Sequence, residues 1–161
     1  MALTNAQLQA LKTYIASQPD LASQPQTLDG AYEIARLLNL DSTSIVWKRQ
    51  VLSDEISKVV SYVAVAAMTT ANLERVRSFF TLNPEEFDPT RADIRTFWAD
   101  TFSGALGGEG ANTRAALGAL WKRTATRFES VYSGNGTTGT PATLVLEGPV
   151  TPDEVQQART S

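Results

Sequence analysis

The 161-residue chain has no cysteine and no histidine. Without cysteine there is no disulfide, thiolate nucleophile or cysteine-based metal site. Without histidine, the commonest general base and the commonest metal ligand are both missing. Carboxylate-only sites for magnesium or glycoside chemistry remain possible. Long apolar runs are lacking too. The longest, from Val59 to Met68, is broken by Ser61 and falls well short of the ~20 residues that span a bilayer. The opening Met1-Ala2-Leu3-Thr4 lacks the basic-then-apolar order of a signal peptide, so the expectation is assembly in the cytoplasm with no membrane partner. A strong charge is also missing. Fourteen Lys and Arg stand against 17 Asp and Glu, for a net charge of −3. That balance argues against a dedicated nucleic-acid binder, whose affinity comes largely from neutralising phosphates.

What is present is enough apolar residue, 42%, to bury a core in a chain of this length. The periodicity is mostly helical. Thr4 and Gln7 form a capping-box pattern ahead of Leu8, Leu11 and Ile15, which predicts a helix to about Ser17. A second helix is expected over Gly30–Leu38. Ile45-Val46-Trp47 fits either a helical turn or an extended piece, so residues 45–51 stay open between helix and strand. Ser53 reads as the cap of a helix carrying Ile56, Val59, Val60, Val63 and Ala67, and Thr70 as the cap of the next. Asp88-Pro89 reads as a cap followed by proline at the first helical position. Gly104–Gly110 reads as a flexible turn. The longest helix is expected from about Ala111 to Tyr132, with Leu117, Leu120, Trp121, Thr124, Phe128 and Val131 on one face.

Composition changes after Tyr132. Residues 133–141 read as a Gly/Thr linker, 142–147 as a strand, and Thr151 with Glu154 as the capping box of a short terminal helix. The expected fold is therefore mainly α: a bundle of about six helices over residues 1–132, and a C-terminal arm over 133–161 with a short strand and a helical turn. A lone strand must pair with residues 45–51 or with another chain, because unpaired buried backbone groups are costly. Pro141, Thr143, Leu144, Val145, Leu146, Glu147, Val150 and Val155 are the arm residues expected to meet a partner.

No motif carries a catalytic kit. The Gly107-Gly108-Glu109-Gly110 loop lacks the Lys-Ser/Thr of a phosphate-binding loop. The pairs Glu85/Glu86, Asp54/Glu55 and Asp153/Glu154 sit at helix starts or turns, where dipole and capping effects explain them. The reading is a non-enzyme without metal or cofactor. Trp47, Lys48, Arg49, Lys122, Arg123 and Arg127 are candidate interface or DNA-channel contacts, although such charges also populate ordinary solvated helix faces.

Four segments together resemble a group of small tailed-bacteriophage proteins over nearly the whole chain. They are Ala2-Leu-Thr-Asn-Ala-Gln-Leu8, Ile45-Val-Trp-Lys-Arg49, Asp88-Pro-Thr-Arg-Ala-Asp-Ile94, and the ending Arg127-Phe-Glu-Ser-Val-Tyr to Leu144-Val-Leu-Glu-Gly148. The pattern is also similar to the wider class of head-tail connector or adaptor proteins. That resemblance implies a virion protein at the head-tail junction, forming a dodecameric ring on the portal, with the arm docked on the portal or a neighbouring copy. It further implies contact with the next connector or tail protein, proximity to packaged DNA, and no catalytic residues. The competing readings are a capsid decoration or cement protein, a tail-completion protein, a small carboxylate-dependent enzyme and a nucleic-acid-binding module.

Overall fold

The computed structural model describes residues 2–161. The chain is mainly helical with small sheets. In order the elements are α1 (Asn5–Ser17), α2 (Pro19–Ala22), α3 (Leu28–Leu38), β1 (Asp41–Trp47), β2 (Val51–Leu52), α4 (Ser53–Val59), α5 (Tyr62–Ala66), α6 (Thr70–Leu82), β3 (Glu86–Phe87), α7 (Ala92–Thr101), a 3-10 turn (Gly104–Leu106), α8 (Gly107–Leu120), β4 (Lys122–Thr126), α9 (Arg127–Ser133) and α10 (Pro152–Thr160). The helices outnumber the six expected. Several capped segments that periodicity joins are separate in space.

Packing divides the chain into two compact units, and not at residue 132. The first comprises the chain up to Val46 together with Thr124–Ser161, and the second is Trp47–Arg123. The arm therefore belongs to the same unit as the N-terminal helices.

In the first unit α1 starts as expected. Gln7 N donates to Thr4 Oγ1 and Thr4 N to Gln7 Oε1, at 3.3 and 2.8 Å. Leu8, Leu11 and Ile15 of α1 join Ala31, Ile34, Ala35 and Leu38 of α3, Phe128, and Val150, Val155 and Ala158 in one core. Helix α10 has its predicted box, with Glu154 N donating to Thr151 Oγ1 at 3.2 Å and Thr151 N to Glu154 Oε2 at 2.9 Å. Val155 and Ala158 are fully buried.

Of the open segment at 45–51, Ile45 to Trp47 end strand β1, which neighbours β4 in a two-stranded sheet, and Val51 begins β2. The arm pairs here only briefly. Ile45 N donates to Gly136 O and Ala142 N to Ile45 O, at 3.0 and 2.9 Å, and a single parallel bridge joins Val46 to Ala142. The strand expected over 142–147 does not form beyond that bridge. Leu144 instead turns inward to pack with Val46 and Ala125. Of the two partners considered for this segment, the chain's own residues 45–46 take it.

The long helix expected over 111–132 is also two elements. Helix α8 ends at Leu120, Lys122–Thr126 is extended, and α9 begins with a second capping box at Thr126 and Glu129. Thr-x-x-Glu is a start signal in its own right, and β-branched Thr124 and Thr126 favour extended backbone.

In the second unit Val51, Ile56, Phe79, Phe87, Ile94, Trp98, Phe102, Leu117 and Trp121 are the principal core residues. Strands β2 and β3 pair antiparallel, with Val51 opposite Phe87. The stripe Ile56–Ala67 is broken at Ser61, whose hydroxyl accepts from Ala64 N to start α5 and donates to Glu109 Oε2 at 2.7 Å. Thr69, not Thr70, caps α6. Ser53 lies inside α4 and ties it down by donating to Asn83 O at 2.7 Å. Asp88-Pro89 is not a helix start. Asp88 Oδ1 accepts from Thr90 N at 2.8 Å and from Thr90 Oγ1 at 2.6 Å, a local turn that precedes α7. The glycines expected in a flexible turn open α8 instead. A Cβ at Gly110 would fall 2.8 Å from Leu106 Cβ, so glycine is what lets this turn pack.

Candidate functional site

The second unit brings together most of the basic and aromatic residues singled out in the sequence. Lys48 N donates to Trp121 O at 2.8 Å, which sets the segment after β1 beside the start of β4. Trp47 and Lys48 are thereby set beside Trp121 and Lys122 from two distant stretches of chain, and Arg49 and Arg123 follow them in sequence. Arg95, which sequence reasoning missed, joins them from α7. Its Cζ lies 4.3 Å from the Trp47 ring centroid, and Lys122 Nζ lies 5.4 Å away over the same ring. Nη1 of Arg95 also donates to Pro89 O and Thr90 O, each at 2.6 Å. Cations over an indole gain on the order of 0.5–1 kcal/mol at partly exposed sites. Arg95 is thus held on both sides, by the Trp47 ring and by two backbone carbonyls. No spacing rule pairs position 95 with position 47; only the fold does.

Arg127 lies in the first unit and does not belong to that cluster. Its guanidinium forks onto Asp20, with Nη1 and Nη2 at 2.6 and 3.1 Å from the two carboxylate oxygens. The hydrogen bonds from Arg127 hold the Asp20 carboxyl below its ordinary range.

The arm residues are mostly committed to their own unit. Pro141, Leu144, Val150 and Val155 are buried, and Leu146 packs against the first unit's core. Asn39 clamps the backbone of Val150 from both sides, accepting from its N–H at 2.9 Å and donating to its carbonyl at 3.0 Å. Thr143, Val145 and Glu147 remain on the surface. The arm is therefore packed into its own unit within the single chain. The physical reason is apolar burial: Val155 and Ala158 complete a core that α1 and α3 leave open.

The carboxylate pairs hold structural posts. Asp54 pairs with Lys58 at 2.9 Å, Glu55 Oε2 accepts from Leu52 N, Glu86 accepts from Gln50, and Glu154 closes a capping box. Among the described residues no group of three or more acidic side chains is placed to hold a metal ion. No helix among them is long and apolar enough to cross a membrane.

The second unit carries a groove of about 540 Å³ between α6 and the start of α7. Phe79, Leu82, Ile94 and Phe97 supply its apolar surface, and Glu74, Arg75, Arg91 and Asp93 its charged rim. Phe79 backs it rigidly through ring contacts with Phe80, Phe87, Phe97 and Trp98, with centroids 4.9–5.8 Å apart. Leu82 is 80% exposed on its edge. Nearby in sequence, Tyr62 and Val63 of α5 are 79% and 67% exposed. On the rim Glu74 pairs with Arg77 and Asp93 with Arg91. Sequence periodicity places these aromatic residues in the core and gives no sign that one side of α6 stays open. Comparison with known protein families, curated proteins and solved structures finds no match for this chain.

Proposed function

We propose that the protein is a structural subunit of a tailed-phage virion, a head-tail connector or adaptor that works by packing against copies of itself and against the portal rather than by catalysis. The observation that carries this reading is the open aromatic-backed groove with Leu82 exposed on its edge. Exposed apolar surface of this kind marks a contact site. The resemblance over nearly the whole chain supports the phage assignment.

A closed ring needs two different patches that fit each other on successive copies. The groove is one. The other is the outer face of α3, where Leu28 and Tyr32, one turn apart, are 54% and 58% exposed. Asp29 stands exposed beside them, and Arg75 stands exposed on the groove rim. In this proposal α3 of one copy lies in the groove of the next, with Asp29 meeting Arg75. The arm's surface residues Thr143, Val145 and Glu147 are left to face the portal, and the cluster around Trp47 lies toward packaged DNA. The dodecameric count and the contact with the next tail protein rest on the resemblance.

The test is native mass of the purified chain, alone and with portal. Arg75→Glu is expected to lower the assembled fraction, and adding Asp29→Arg to restore it. An unchanged mass distribution in Arg75→Glu would rule out this contact.

A second reading, a nucleic-acid-binding module, has one specific observation behind it: the gathering of Lys48, Arg95 and Lys122 around Trp47. It predicts DNA affinity that falls steeply with salt and weakens in Lys122→Ala. Absence of such binding leaves the connector reading alone.

A further inference from the structure

Of the chain's asparagines only Asn135 is followed by glycine. That pair of residues has a reaction of its own. The backbone nitrogen after an asparagine attacks the side-chain Cγ, and a following glycine leaves the approach open because it carries no Cβ. The new N–Cγ bond closes a succinimide ring. The Cγ–Nδ2 bond breaks, and ammonia leaves with the proton that the backbone nitrogen gave up. Water then opens the ring at either carbonyl. One opening gives aspartate, and the other gives isoaspartate, in which the main chain runs through Cγ.

The fold separates the two reacting groups by their surroundings. Asn135 is exposed and Gly136 is buried. The attacking nitrogen is already engaged, since Gly136 N–H donates to Ser44 Oγ at 2.8 Å. The same hydroxyl donates to Gly134 O at 2.9 Å. Ser44, only 3% exposed, therefore bridges the chain on either side of Asn135. Gly136 O in turn accepts from Ile45 N at 3.0 Å, which fixes the far side of the glycine on β1. To reach Cγ the nitrogen must lose its proton and its bond to Ser44 together. That would leave a buried hydroxyl short of a partner, a cost on the order of 1–3 kcal/mol.

We propose that Asn135 is a deamidation site, kept latent by the Ser44 bridge while the arm lies on β1 and reactive when the arm comes away. The two products then differ in what the fold accepts. Aspartate leaves the main chain unchanged and puts its charge on the exposed side. Isoaspartate adds one carbon to the main chain between Gly134 O and Gly136 N, so one hydroxyl no longer spans them. Release of the arm is thereby made permanent in the chains that form it. This site stands independently of the connector reading.

The full chain is incubated in mildly alkaline buffer, folded or unfolded in urea, and digested with trypsin. The peptide 128–159 contains no other asparagine, so mass spectrometry of it reads conversion at Asn135 alone. Conversion in the folded chain should be slower by at least about tenfold, because it proceeds only in the fraction with the arm open. Ser44→Ala should speed conversion in the folded chain. Chains converted in urea are then fractionated and returned to native buffer. Those with isoaspartate should keep an arm that a broad-specificity protease cuts, whereas Asn135→Asp should refold with its arm protected. Equal rates in the folded and unfolded chain, a Ser44→Ala rate equal to the unaltered one, or protected isoaspartate chains would each overturn the proposal. The rate comparison and the refolding step use the unaltered sequence, so they decide the question even where Ser44→Ala fails to fold.

Discussion

Single residues tie the arm to the first unit, and their effects are separable. Gly136 is buried where Ser44 and Ile45 meet the arm, with its N–H donating to Ser44 Oγ at 2.8 Å. A Cβ there would lie 2.0 Å from Ile45 O and 2.3 Å from Ala142 N, both backbone atoms that cannot swing away. Gly136→Ala is expected to lower the first unit's stability by roughly 2 kcal/mol or more, as forced overpacking does, measured by urea denaturation. Tyr132 gives a pH signature. Its hydroxyl donates to Gln7 O at 2.9 Å, and burial, then the nearby Glu154 charge, push its pKa from 10.0 up to about 12. Between these values the unfolded chain loses the proton and the folded chain keeps it, so stability falls as pH rises through that window. A late ionisation is expected for Tyr132 in an ultraviolet titration of the folded protein, and Tyr132→Phe should remove that late step. Asp20 acts at the other end. The Arg127 hydrogen bonds lower its pKa, so its contribution is present above the unfolded value of about 3.9 and is lost as pH falls below it. Asp20→Asn should flatten that acid limb.

At the scale of elements, legibility in the sequence followed local chemistry. The start of α1 and the box that opens α10 were readable because a capping box is satisfied by four consecutive residues. The break at Trp121 was not. Leu117, Leu120, Trp121, Thr124 and Phe128 keep helical spacing across it, yet Trp121 belongs to one unit's core and Phe128 to the other's. Apolar spacing reports that a residue is buried, not which core takes it. The packing of the arm was not legible for the same reason. Its Gly/Thr composition marked a flexible linker, while the fit of Val155 and Ala158 against α1 and α3 depends on residues more than a hundred positions away. The basic cluster was half legible: the charges beside Trp47 and after Trp121 were visible, their meeting and Arg95 were not. An element-scale consequence follows. Removing residues 134–161 strips Leu144, Val150, Val155 and Ala158 from the core, so the truncated chain should lose the first unit's cooperative unfolding transition. Val155→Ala alone should cost about 2 kcal/mol, as for other fully buried aliphatic side chains.

For the whole molecule, the proposed contacts fall on faces that remain open once the arm is folded in: the α6/α7 groove, the outer side of α3, and the surface of the arm. The connector reading does not require a free arm reaching a neighbour. It depends on the groove being covered in the assembled state. The measurement that tests this most directly is the native mass of the full-length chain with and without portal, repeated with Arg75→Glu and with Arg75→Glu combined with Asp29→Arg. A closed multimer is expected with portal, a smaller assembled fraction in the single variant, and recovery in the double variant. A chain that stays monomeric with portal at saturating concentration would contradict it.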